Sequence, residues 1–380
     1  MKIIRRFESF DFILVILVLA ITAAGIVIVG SATRINLGYS RTSFETQIIW
    51  AATGFALLLA AAFVDYNFIA RFYIPIYVVN ILLLVLVLFL DRTTRGVTRW
   101  LRIGSFGIQP SEFAKLFMII FMAKFIDNNR EKINNIFVYL SVLALISIPA
   151  VLIYIQPSLS ATVVVLVTGV FLLYVGGLSY KKIIVSLLVV LPIIAFVYFD
   201  VQSDRPLLLE YRILREYQFD RLQLALNPTY DPDAYRQTQN SLHAIGSGML
   251  TGKGLFGGPI NQAGYIYSSY SDFLFSVIGE EFGFLGCMAV LIVMFLIILK
   301  CLATAWRAPD LCGKLIASGV ACMLFFQTFV NVGVATDIMP NTGMPLPFMS
   351  YGGSSMWVNM TAIGLVLNVR MSKSKSIFEG

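Results

Sequence analysis

The chain has 380 residues, of which 58% are hydrophobic and only 13% are charged. Soluble domains carry about 25% charged residues, so this composition excludes an ordinary soluble fold. The formal net charge is +7, but the sequence has no basic tract interleaved with aromatic residues, so no nucleic-acid partner is expected.

Ten apolar segments are long enough to cross a lipid bilayer as helices, which takes roughly 20 residues each. In chain order they cover 12–31, 46–64, 73–90, 111–127, 134–153, 159–178, 183–199, 272–299, 314–332 and 356–371. The sequence therefore predicts an all-α, polytopic membrane protein with about ten transmembrane helices. Residues 1–380 are predicted to form a single integral membrane domain, with the first helix kept rather than cleaved as a signal peptide.

The positions of Lys and Arg predict the orientation of these helices, because basic residues concentrate on the cytoplasmic side. With a cytoplasmic N-terminus, fifteen of them fall in inner segments and six in short outer loops. Both termini are then cytoplasmic, and the long connection 200–271 is a large extracytoplasmic loop. Within that loop, apolar residues at helical spacing predict helices over 210–226 and 235–248.

The first outer segment with unusual polar residues precedes the fourth span. Four arginines stand there against the general charge bias: Arg92, Arg95, Arg99 and Arg102. Guanidinium groups match the geometry of phosphate, so the cluster suits an anionic ligand, and lipid head groups are the alternative.

The helix that follows this loop starts at Pro110, since proline suits the first helical turn. Glu112 and Lys115 are three residues apart and share a face of that helix. They form either a structural ion pair or part of a binding site. Between the fifth and sixth spans, Gln156 precedes Pro157 in a second polar segment, which by itself is also an ordinary helix start.

Asp272 begins the eighth apolar segment. An ionisable group at or in a membrane span costs a few kcal/mol or more and usually marks a function, so Asp272 is a candidate proton acceptor. Glu280 and Glu281 follow, and a rise of about 1.5 Å per residue predicts that they lie about 12–14 Å deeper. We interpret them as interhelical bonding partners rather than catalytic groups.

The last polar segment, 340–355, is rich in proline, glycine and serine and cannot form a regular helix. Irregular backbone near a membrane must be buried in protein or line a wet cavity. Ser350, Tyr351, Gly352 and Gly353 are therefore predicted to shape a pocket.

Together these segments resemble the SEDS family (shape, elongation, division and sporulation proteins), whose members include RodA and FtsW. The resemblance covers nearly the whole chain. It is carried by Arg99-Trp100-Leu101 with Gln109-Pro110-Ser111-Glu112-Phe113-Ala114-Lys115, by Gln239-Asn240-Ser241-Leu242 with Ala244-Ile245-Gly246-Ser247-Gly248, by Ser271-Asp272-Phe273 with Ile278-Gly279-Glu280-Glu281-Phe282-Gly283, and by Pro345-Leu346-Pro347-Phe348 with Ser350-Tyr351-Gly352-Gly353-Ser354-Ser355. The short tails and Pro345-Leu346-Pro347 are more similar to RodA than to FtsW.

The resemblance implies a multi-pass peptidoglycan glycosyltransferase of the bacterial inner membrane, which polymerises lipid II at the outer face for wall synthesis and cell shape. The family's essential aspartate falls on Asp272, the candidate general base. The implied partner is a class B penicillin-binding protein, a transpeptidase. The candidate substrate-binding residues are Trp100, Arg102, Glu112, Lys115, Gln156, Ser350, Tyr351, Gly352 and Gly353. No metal ligands are assigned, although a divalent cation is possible as a cofactor.

The chain departs from the family pattern in two places. Ser158, Leu159 and Ser160 stand where Asp, Leu and Gly are usual, and 268–271 lack the usual acid and histidine. Two other functions are kept: a flippase that moves lipid II across the bilayer, which ten helices with a polar cavity would suit, and a non-catalytic scaffold for a transpeptidase, which the loss at Ser158 favours slightly. A flippase predicts polar residues through the full depth of the bundle, but the unusual polar residues concentrate on the outer side, with Glu280 and Glu281 as the main exceptions. The retention of Asp272 argues against the scaffold.

Overall fold

The structure, a computed structural model, describes residues 10–33, 42–90, 99–103, 106–203, 206–211, 214, 216–227 and 230–376. Its helices are α1 Phe12–Thr33, α2 Thr42–Phe63, α3 Tyr66–Arg71, α4 Tyr73–Leu90, α5 Pro110–Asn128, α6 Ile136–Ile155, α7 Leu159–Val175, α8 Tyr180–Val201, α9 Leu207–Glu210, α10 Glu216–Leu226, α11 Pro232–Ser247, α12 Pro259–Gln262, α13 Leu274–Trp306, α14 Leu311–Ala335 and α15 Gly353–Ser376. A 3₁₀ turn covers Arg130–Lys132.

Ten of the described helices have at least 17 residues and coincide with the ten predicted apolar segments. Six of them, α1, α2, α4, α6, α13 and α14, are long and apolar enough to cross a membrane. The helical, polytopic fold is therefore confirmed, and the number of spans stays a prediction. The predicted helix 235–248 corresponds to α11, and the part of the predicted helix 210–226 from Glu216 onward corresponds to α10.

A two-stranded antiparallel hairpin precedes α5 and was not anticipated from the sequence. It consists of β1 Leu101–Ile103 and β2 Phe106–Ile108, with Arg102 opposite Gly107. Because Pro110 starts α5 directly after β2, the hairpin stands over the first turn of that helix.

Three long helices are joined at one end of the bundle by an ionic cluster around the buried Asp11, here called the charged end. Asp11, just before α1, pairs with Lys300 of α13 at 3.2 Å and with Arg370 of α15 at 3.1 Å. Since each helix rises about 1.5 Å per residue, this cluster provides a common origin for measuring height along the bundle.

Two further contacts lie at almost the same height above that origin. Ser31, about 20 residues along α1 from the cluster and so about 30 Å away, donates a hydrogen bond to Glu281. Tyr351, about 19 residues from Arg370 and so about 28 Å away, donates its backbone N–H to the Tyr270 carbonyl. This height is the thickness of a hydrocarbon core, and it defines the site end of the bundle.

The expectation that Glu281 lies 12–14 Å deeper than Asp272 is therefore wrong. Both residues stand at the site end, so the first part of α13, up to Gly283, runs mainly across the bundle rather than down it. The reason is a break in the helix: Gly283 has φ 64° and ψ −160°, a conformation that is essentially restricted to glycine. The part of α13 after Gly283 is alone long enough to cross a bilayer.

Candidate functional site

The irregular segment between α14 and α15 is the centre of the site, because the other polar segments bond to it. Ser350 Oγ donates to the Ser271 carbonyl at 2.6 Å and accepts from the Leu346 backbone N–H at 2.8 Å. Gln47 of α2 donates to the Ser350 carbonyl at 3.1 Å. Ser350 is buried, and its hydrogen bonds hold the chain just before Asp272 in place.

Asp272 lies between α14 and the turn at Gly343, and its side chain is partly exposed. Asn331 Nδ2 of α14 donates to the Asp272 carbonyl at 2.8 Å and to the Met344 carbonyl at 2.7 Å. Gly343 has φ +69°, and a Cβ added there would be 3.3 Å from Asp272 Oδ2. A glycine at this point therefore leaves the space beside the carboxylate open.

Tyr351 connects the chain beside Asp272 to α2 through an edge-to-face contact with Tyr270 and a tilted contact with Trp50. Its ring centroid is 5.6 Å from that of Tyr270 and 4.7 Å from that of Trp50. Gly353 faces Trp50 so closely that a Cβ would be 2.8 Å from the indole ring. The carbonyl of Gly352 accepts the Met356 N–H and so starts α15.

The hairpin segment reaches the same place. The Gln109 backbone N–H donates to Ser354 Oγ at 3.0 Å, which joins the start of α5 to the start of α15. Trp100 is partly exposed and packs over Gly107. The Arg102 backbone lies in the hairpin, and its side chain lies outside the described part of the structure, as do Arg92 and Arg95.

Glu112 and Lys115 form a closed, buried ion pair. Lys115 Nζ donates to both carboxylate oxygens of Glu112 at 2.8 Å, and the two side chains are almost completely buried. This geometry is that of a structural ion pair. A contact of either group with substrate stays a prediction.

The second polar segment, which begins at Gln156, makes one structural contact and one contact at the site. Gln156 is fully buried and donates to the Leu84 carbonyl of α4 at 2.7 Å, which supports the backbone of a neighbouring helix. Ser160 donates to the Thr342 carbonyl at 3.2 Å, next to Gly343. Arg99 donates to the Pro157 carbonyl. All four predicted polar segments therefore meet at the site end.

Glu280 and Glu281 bond to other parts of the chain, as interpreted from the sequence. The Glu280 carboxylate accepts the backbone N–H groups of Ile260 and Asn261 at 2.8 and 2.9 Å. Glu281 accepts from Ser31 of α1. Both side chains are fully buried. Since both carboxylates accept hydrogen bonds from the protein's own groups and are buried, they are positioned to hold structure rather than to meet substrate.

Asn331 and Gln47 were missed in the sequence, although each is a polar side chain inside an apolar segment. Such residues in predicted spans usually face the bundle interior and pair with backbone carbonyls, and that is where both are found. In the part of the chain that the structure describes, no three His, Cys, Asp or Glu side chains could hold a metal ion. No chemical step is assigned to a divalent cation.

A sequence model of the family described as "Cell cycle protein", which covers FtsW, RodA and SpoVE, matches residues 11–375. The chain belongs to this family. The resemblance to SEDS proteins is thereby confirmed, and the FtsW/RodA/SpoVE family match includes Asp272 and the four polar segments around it.

Individual relatives of the FtsW/RodA/SpoVE family match over almost their whole length. The "Probable peptidoglycan glycosyltransferase FtsW" of Trichlorobacter lovleyi is 32% identical over 96% of this chain and 94% of its own. The "Peptidoglycan glycosyltransferase MrdB" of Escherichia coli (strain K12) is 31% identical over 96% of this chain and 95% of its own.

Solved structures show the same fold. A chain from "Structural coordination of polymerization and crosslinking by a peptidoglycan synthase complex" superposes with a TM-score of 0.80 at 28% identity, covering 98% of this chain and 99% of that one. The crystal structure of the Thermus thermophilus rod shape determining protein RodA gives a TM-score of 0.69 at 30% identity, with 96% and 97% covered. The chain is therefore an integral membrane protein of this fold.

Proposed function

We propose that this chain polymerises lipid II into glycan strands, with Asp272 as the general base. It is a peptidoglycan glycosyltransferase, the activity that its relatives' names carry. The observation that supports the mechanism is the partly exposed Asp272 carboxylate, held through its own backbone at the point where four polar segments meet.

The reaction joins two sugars, and Asp272 performs its first proton transfer. The carboxylate takes the proton from a hydroxyl of the acceptor sugar, and that oxygen attacks the anomeric carbon of the donor sugar. The bond from that carbon to the polyprenyl pyrophosphate breaks, and the pyrophosphate leaves with the electron pair. A base must lie within about 3 Å of the proton that it removes, and the open space beside Gly343 offers the acceptor that approach.

The leaving pyrophosphate needs positive charge, and the arginine-rich segment 91–102 supplies it in this proposal. Guanidinium groups hold phosphates in a bidentate manner. Support comes from the described part of the chain that follows these arginines, because the Gln109 backbone N–H before α5 donates to Ser354 Oγ at the site end. The polyprenyl chain of the substrate stays in the bilayer, because the site stands about one hydrocarbon thickness from the charged end.

The site end faces the extracytoplasmic side of the bacterial inner membrane in this proposal, with both termini and the charged end cytoplasmic. The excess of Lys and Arg in the predicted inner segments supports that orientation. The partner is a class B penicillin-binding protein, a transpeptidase. Support comes from the similar chain of a peptidoglycan synthase complex that coordinates polymerisation and crosslinking.

The test is polymerisation of labelled lipid II in proteoliposomes by the wild type, Asp272→Asn and Asp337→Asn, each with and without the transpeptidase. Asp337 is a matched control, because it is an exposed carboxylate at the same end, and its φ of +59° is one that Asn tolerates. We expect strands from the wild type and Asp337→Asn and none from folded Asp272→Asn. Strands from Asp272→Asn would exclude the base, and transport of lipid II without strands from any variant would favour the flippase.

A further inference from the structure

The break in α13 is closed by a loop that belongs to the long connection before it. The kink at Gly283 frees two N–H groups and two carbonyls of the helix. The Met249 and Leu250 carbonyls accept from the Phe284 and Leu285 N–H groups at 2.9 and 3.1 Å. The N–H groups of the same loop, at 253 and 254, donate to the carbonyls at 280 and 281 at 3.1 and 2.9 Å. The loop thus satisfies backbone groups that a bilayer could not.

These bonds also place the loop within the height of the membrane. Phe284 lies about 16 residues from Lys300 on a continuous helix, and so about 24 Å above the charged end. That height is below the Ser31 to Glu281 contact and inside a hydrocarbon core of about 30 Å. Met249 and Leu250 bond to this turn of α13, so the loop lies at a height that a hydrocarbon core of about 30 Å counted from the charged end would include.

The side chains at this place are apolar and turned outward. Met249 is 78% exposed, Leu250 60%, and their neighbours on α13, Phe284 and Leu285, 58% and 55%. Leu255 and Phe256 are also exposed. These exposed apolar side chains of the loop therefore adjoin the exposed apolar side chains at the start of the span after Gly283.

The charged group of the loop is turned back to the protein. Lys253 Nζ donates to Ser247 Oγ at 2.6 Å and lies 3.5 Å from the buried Glu280 carboxylate. Tyr265 and Tyr267, further along the connection, are strongly exposed. Apolar tips with tyrosines beside them are typical of protein segments at a membrane interface.

We propose that residues 248–256 form an interfacial membrane anchor, in which Met249, Leu250, Leu255 and Phe256 insert into the acyl chains of the leaflet at the site end. The partner is the bilayer itself. The connection before Asp272 is therefore a segment that returns to the membrane rather than a loop held wholly in water. Because the same segment bonds to α13 on both sides of its break, the anchor holds the part of α13 that follows Asp272 at the membrane surface.

A fluorescent probe tests this without reference to enzyme activity. An environment-sensitive thiol dye is attached to Met249→Cys in a Cys322→Ser chain, and the purified full chain is placed in phosphatidylcholine/phosphatidylglycerol vesicles with or without brominated acyl chains. The other three cysteines are buried, and the background chain without the new cysteine should take up no dye. The control position is Ile338→Cys, an apolar residue that is 76% exposed and follows the end of α14 beyond Asn331.

We expect blue-shifted emission from position 249 and quenching by brominated lipid several-fold stronger than at position 338. Leu255→Cys should behave like Met249→Cys, which guards against a local defect of one variant. Equal and weak quenching at 249, 255 and 338 would overturn the anchor. A blue shift of the emission that appears only when the transpeptidase is added, or only at high protein-to-lipid ratio, would also overturn the anchor. It would assign the surface to a protein contact.

Discussion

Asn331 Nδ2 donates one hydrogen bond to the Asp272 carbonyl and another to the Met344 carbonyl. One buried amide thus holds the candidate base and the turn at Gly343 in a fixed relation. Position matters here, because misplacing a reacting group by about 1 Å can lower a rate about a hundredfold.

Asn331→Leu should therefore reduce both stability and polymerisation. One buried and one partly buried carbonyl lose their donor, and we expect a loss of about 2–4 kcal/mol in the free energy of unfolding. Polymerisation of lipid II by the folded fraction should fall at least about tenfold. The control is Asn80→Leu in α4, since the buried Nδ2 of Asn80 donates to no described atom. Full polymerisation by Asn331→Leu would show that Asp272 is placed by other contacts.

Gly343→Ala should affect activity more than stability. Its φ of +69° makes a residue with a side chain strained by about 1–2 kcal/mol, and the added methyl group would lie 3.3 Å from the Asp272 carboxylate. Gly177→Ala is the matched control: Gly177 has φ +93°, and a Cβ there would contact nothing within 4 Å. Both variants should show a similar fall in melting temperature, but only Gly343→Ala should polymerise poorly. Equal activities would mean that acceptor sugar does not approach from this side.

The ion pair of Glu112 and Lys115 can be assigned by a double-mutant cycle. Lys115→Met alone leaves a buried carboxylate unpaired and should cost about 3–5 kcal/mol. Adding Glu112→Leu should restore most of the stability, and polymerisation with it, if the pair is structural. The control is Lys124 with Asp127, which has the same spacing in α5 but is partly exposed and should contribute about 0–1 kcal/mol. A stable but inactive double variant would instead assign the pair to the substrate site.

Ser31 and Glu281 should be energetically coupled, because they connect α1 to the break in α13. Ser31→Ala removes a donor from a buried carboxylate and should cost about 1–3 kcal/mol. In the Glu281→Leu chain the same substitution should cost little, so the cycle should give a coupling energy of about 1–3 kcal/mol. Thr22→Val is the control on α1, since Thr22 bonds only within its own helix, to Val18. Strict additivity of the two substitutions would exclude the coupling. Unfolding in detergent followed by circular dichroism measures all four chains.

Several features of the site were predictable because they depend on local composition. An ionisable residue at the edge of an apolar segment identifies Asp272, and a Pro/Gly/Ser-rich stretch identifies 340–355 as irregular. Ser350 and Tyr351 were named for that reason, and they do contact the chain beside Asp272. Asn331 was not named, because its importance comes from two carbonyls that are distant in sequence or outside its own helix.

The helices follow from local composition, since a bilayer requires long apolar segments whatever their neighbours are. The sequence does not give the direction in which the first part of α13 runs. Helical rise predicts the distance from Asp272 to Glu281 along the helix axis. Because of the kink at Gly283, that axis runs across the bundle rather than down it. The break in α13 depends on tertiary contacts, because the bonds that stabilise it come from a loop about 30 residues earlier and from Ser31 near the other end of the sequence.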